Sequence, residues 1–136
     1  MIVDLRSHIA AAASISALVG DRIVPSRRPQ AGKLPAIVYH RIIGDPDYSL
    51  KRASGLERTR IQCDCIGARY LDAVGVADAL KLVLSGARFQ SGSTEFRGVF
   101  VDNERDLFDP APESSEASRS HGVSIDFIVW HRRLQP

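Results

Sequence analysis

The stretch "RTRIQCDCIG" at residues 58–67 alternates from end to end. Thr59, Ile61, Cys63 and Cys65 fall on one side, and Arg58, Arg60, Gln62 and Asp64 on the other. Successive side chains of a strand point to opposite faces, so the pattern predicts a strand with one buried face. That face needs a second layer packed over it.

The same alternation decides how "CDC" reads. Cys63 and Cys65 share the Ile61 face and point at the core, while Asp64 points away. Residues i and i+2 of a strand leave no room for a normal disulfide between them, and the chain has only these 2 cysteines. A zinc site needs four converging ligands. There is no second Cys pair, and His8, His40, His121 and His131 are scattered. Two core thiols are therefore expected, with metal or redox use as the alternatives and no cofactor implied. A reducing, intracellular setting is the simpler inference.

Leu5, Ile9, Ala12, Ile15 and Val19 recur at helical spacing ahead of Gly20, which predicts a helix over 3–19. This opening lacks a basic leader and is interrupted by Asp4, Arg6 and His8, so it reads as a mature helix rather than a signal peptide. No apolar run reaches the ~20 residues of a membrane span. Ile23 and Val24 suggest a short strand before the Pro-rich loop that leads to Leu34. "AIVYHRII" at 36–43 reads as a strand ending in the turn signal "GDPD". Residues 44–57 then form the tip of a long hairpin.

A second helix is expected over 69–86, with Tyr70, Val74, Ala77, Leu80 and Leu84 on its stripe and Gly86 as its stop. Gly75 inside it suggests a close packing contact. Residues 95–108 read as a strand that frays after Val101. The segment 109–122 is polar, Pro/Ser-rich and reads as a mobile loop. Along 123–134, Val123, Ile125, Phe127 and Val129 face one way, and Ser124, Asp126, Ile128 and Trp130 the other. Adjacent strands in this order predict an α+β fold: an antiparallel or mixed β-sheet, two helices packed on one face, and a long β-hairpin loop. The 136 residues suit a single domain spanning 1–136.

No nucleophile elbow, phosphate-binding loop, dinucleotide fingerprint or zinc-protease helix is found. "DNERD" at 102–106 clusters acids, and a small metal-dependent nuclease is the enzyme reading of it. The plainer reading is a set of solvated or paired charges at a strand end. The net charge of +2 argues against a dedicated nucleic-acid protein. Arg27, Arg28, Lys51, Arg52, Arg58 and Arg60 suit phosphates, solvent, or acidic surfaces on neighbouring subunits. Tyr48, Leu50 and Leu56 among such charges give the hairpin the make-up of an interface. The interface set is thus Tyr48, Leu50, Lys51, Arg52, Leu56 and Arg58, with Arg27, Arg28, Glu104 and Arg105 as further candidates.

"ALVGDRIVPSRRPQAGKLPAIVYHRIIG", "SGLERTRIQCDCIGARYLDA", "VDNERDLFDP" and "VSIDFIVWHR" occur in that order. Together they resemble the tail completion or tail terminator proteins of long-tailed bacteriophages, prophages and gene transfer agents. The resemblance implies a sheet flanked by two helices and a structural role rather than an enzyme. It implies a homo-oligomeric ring, a hexamer, on the head-proximal end of the tail tube. Such a ring ends tube polymerisation and meets the head–tail connector or stopper protein. DNA passes through its lumen without specific binding, and no membrane is involved. The virion's head–tail junction is the implied location, after assembly in the host bacterial cytoplasm. Another neck or head-completion protein is the alternative of the same size and architecture.

Overall fold

The period-two runs pair into one six-stranded sheet, and the helical stripes lie across one face of it. The computed structural model describes residues 1–26, 33–107 and 120–134. In chain order the elements are α1 (Ile2–Ala11), α2 (Ala13–Val19), β1 (Ile23–Pro25), β2 (Ala36–Tyr48), β3 (Ala53–Gly67), α3 (Tyr70–Leu84), β4 (Phe89–Ser91), β5 (Thr94–Leu107) and β6 (His121–Arg133). The strand order is β1-β2-β3-β6-β5-β4. β1 runs parallel to β2, and every other pair is antiparallel.

The core lies between the helices and the sheet face that carries Ile37, Ile61, Cys63, Cys65, Ile125, Phe127 and Val129. Leu5 and Ile9 of α1, Ile15 and Val19 of α2, and Val76, Leu80 and Leu84 of α3 close over it. Each fully buried Leu or Ile there contributes roughly 1.5–3 kcal/mol. Both cysteines are fully buried on this face, as the alternation of β3 requires. β6 sits between β3 and β5 and is buried on both faces, including Ser124, Asp126 and Ile128.

Several elements depart from the sequence reading. The expected helix over 3–19 breaks at Ala12, whose φ of −75° and ψ of 119° are extended. The two halves meet at 88°. The run Ala10–Ala13 has no bulky side chain to hold one straight axis against the core. The break turns Ile15 and Val19 onto the same core as Leu5 and Ile9, so the stripe survives. On α3 the buried face includes Ala73 and Val76, whereas Tyr70 is exposed. Gly75 is exposed with nothing near it, so it marks no packing contact.

"GDPD" is not a turn: β2 continues through it to Tyr48. Pro46 is tolerated because, among the described residues, β1 pairs with β2 only as far as Tyr39, which leaves the outer half of β2 an edge there. β5 does not fray at Val101 either. After a register shift between Val101 and Asn103 it stays paired to β6 as far as Leu107–Gly122. Of the loop expected at 109–122, His121 and Gly122 belong to β6, and residues 109–119 lie outside the described residues. The short strand β4, unread in the sequence, pairs with the start of β5.

Candidate functional site

The β2–β3 hairpin places the candidate interface residues at two levels. β3 meets β6 only from Leu56 onward, where Leu56 stands opposite Arg132. Beyond that point, among the described residues, the hairpin is a two-stranded ribbon. Ser49 closes its tip. Its backbone N–H donates to the Arg52 carbonyl at 2.7 Å, and its Oγ accepts from the Arg52 N–H at 3.2 Å. A bulge between Pro46 and Tyr48 bends the ribbon, and Gly55 opposite it takes a φ of 85°, which favours glycine.

Tyr48 is 69% exposed and Leu50 fully so, with Lys51 and Arg52 beside them. These four residues do form one tip. Leu56 and Arg58 lie further down the ribbon, and Arg58 pairs with Asp45 at 3.7 Å. Arg27 and Arg28 lie outside the described residues.

Glu104 and Arg105 belong to neither level and to opposite faces. Glu104 accepts from Lys81 Nζ at 2.7 Å on the helix side, and that bond raises the Lys81 pKa. Asp106 accepts from the Tyr70 hydroxyl on the same side, at 3.0 Å. Arg105 instead approaches Asp126 at 3.4 Å on the face away from the helices. Asp102 pairs there with Arg60 at 2.6 Å. The acids of "DNERD" are thus divided between two faces and engaged by cations or a hydroxyl. Among the described residues, no group of three or more His, Cys, Asp or Glu is placed to hold a metal ion.

The face away from the helices carries two features that the sequence reading missed. The first is a polar row at the sheet centre. Arg60 donates to Asp126 at 2.9 Å, and Gln62 and Ser124 donate to Asp64 Oδ1 at 2.9 and 2.7 Å. The second is a groove of about 580 Å³ nearer the hairpin, floored by Leu56, Phe100 and Trp130 and edged by Arg88, Arg97 and Arg132. Gly98 stands opposite Trp130 across β5–β6. A Cβ there would meet the Phe100 ring at 2.8 Å, so glycine lets that ring lie over the sheet. The signal in sequence was Ile128 and Trp130 on the supposedly outer side of β6. Two large apolar residues there mark a face that is not simply solvated.

The arrangement of sheet, helices and hairpin defines an α+β fold also found in a virus-like particle. It matches a chain of the "Virion of native gene transfer agent (GTA) particle" with a TM-score of 0.69, over 96% of this chain and 92% of that one. The likeness, at 15% sequence identity, is one of fold. The chain belongs to the family described as "Tail completion protein gp17", whose model matches residues 3–132. It is a structural protein of a phage-like tail and a virion component. The search of curated proteins finds no match.

Proposed function

We propose that the protein is a single-domain subunit of a ring, a hexamer, at the head-proximal end of the tail tube. There it ends tube polymerisation and joins the tail to the connector or stopper protein, while DNA passes through the lumen. The observation that carries this reading is the ribbon tip. A two-stranded ribbon is marginal in water on its own. This one ends in an exposed Tyr48 and Leu50 beside two cations. Membership of a tail completion family supplies the setting for such a contact. In a cyclic assembly every subunit can offer the same tip to its neighbour or to the adjoining ring.

Reconstruction of intact particles tests the proposal. The expected result is a ring of this chain between tube and connector, and over-long tubes when the chain is deleted. A single copy, or a ring on the head side of the neck with tube length unchanged, would overturn it.

A further inference from the structure

We infer that the groove over Leu56, Phe100 and Trp130 docks an acidic protein segment that carries one apolar side chain. The floor is apolar and open: Phe100 is 50% exposed, although it lies beside the sheet centre. No helix among the described residues packs on this face. The edge is cationic. Arg97 and Arg132 share a single carboxylate, Glu95, at 3.4 and 2.6 Å. Among the described residues, Arg88 makes no ion pair or side-chain hydrogen bond. Among the described residues, three guanidiniums thus face two carboxylates, Glu95 and Asp47, an excess of one positive charge.

Charge complementarity selects the occupant. A carboxylate that reaches Arg88 gains a charge-assisted, bidentate contact, and an apolar side chain beside it covers the Trp130 and Phe100 rings. A nucleic-acid strand fits poorly. It relies on several phosphate contacts at once, and here, among the described residues, it would find one free cation and two carboxylates. The groove reaches the ribbon through Asp47 and Ser54 but includes none of the tip residues Tyr48 to Arg52, and the inference stands whether or not the chain forms a ring.

Trp130 is the only tryptophan of the chain, so its emission reports on the groove directly. The isolated protein is titrated with a short synthetic peptide rich in Asp and Glu with one central Phe. A saturable blue shift is expected. Arg88→Glu should weaken it about tenfold or more, and Arg88→Gln less, with circular dichroism unchanged. Replacing the peptide's Phe by Ser should weaken it as well. The inference fails if the peptide gives no saturable shift, or if Arg88→Glu leaves the titration unaltered. It also fails if a thymidine oligonucleotide shifts the emission at lower concentration than the peptide.

Discussion

Arg60 and Asp126, 66 residues apart, meet at 2.9 Å across β3 and β6 on the face opposite the helices. The Asp126 side chain is 9% exposed, and its Oδ1 has no hydrogen-bond partner. Arg60 also holds Asp102, and these two carboxylates raise the Arg60 pKa, Asp102 first. Removing Arg60 leaves the buried carboxylate only its longer contact with Arg105, at 3.4 Å, whereas neutralising the carboxylate leaves Arg60 its other partner. Arg60→Ala should therefore cost about 2 kcal/mol, below the ~3–5 kcal/mol of fully buried pairs. Asp126→Asn should cost less. Urea unfolding of both variants checks the order, and a costlier Asp126→Asn would contradict it.

Acid should destabilise the fold through His131. Its Nε2 lies 2.8 Å from Thr59 Oγ1, and burial lowers its pKa below the ordinary 6.5. The nearby Glu57 opposes that shift, while the N-terminus and Arg41 add to it. The unfolded chain then takes up a proton at a pH where the folded chain does not. Stability is full above that ordinary value and is lost as pH falls through it toward the lowered folded value. His8, stacked on Phe89, is shifted the same way by burial. Unfolding free energies at about pH 7.5 and about pH 5.5 should differ less in His131→Gln than in the parent chain. Equal differences would remove His131 from the account.

The buried thiols should be inert. Burial pushes the Cys63 pKa up to about 12, with the charges of Asp64 and Asp126 adding to the shift. Cys65 is raised well above its ordinary value for the same first reason. Because the thiolate is the reactive form, a thiol reagent should label both only on unfolding. Cys63→Ala should cost about 1 kcal/mol through the small cavity it leaves. Rapid labelling of the native protein, or a metal bound in stoichiometric amount, would reverse this assignment.

What the sequence disclosed depended on how local the signal was. The buried face of β3 was legible because Ile61, Cys63 and Cys65 declare it within five residues. The break at Ala12 was not, because alanines are silent about direction and the stripe runs on through them. Asp45 and Pro46 read as a turn by composition, yet pairing with β3 keeps them in a strand whose other edge has no partner among the described residues. β5 looked frayed for a similar reason, since its acidic end is held by pairing to β6. The tip residues Tyr48 to Arg52 were found together because they are consecutive. The groove was missed because Leu56, Arg88, Phe100 and Trp130 converge only once β3, β5 and β6 are in register.

The ribbon tip gives the sharpest test of the proposed assembly. Tyr48 and Leu50 are exposed beyond the last residue that β6 supports, so neither stabilises the body of the sheet. Tyr48→Ala with Leu50→Ala should leave the unfolding free energy of the isolated protein within about 0.5 kcal/mol. If the tip is an apolar anchor with a charged rim, the same double variant should block tail joining. Lys51 and Arg52 would then steer the approach. Reversing both charges should slow joining, and a matching reversal on the contacted surface should restore it. If the cations instead touched DNA in the lumen, the apolar pair would matter little, and the charge changes would alter only DNA retention or ejection. The measurement is the yield of joined particles from the double alanine variant. A normal yield would remove Tyr48 and Leu50 from the interface and shift the argument to the cations.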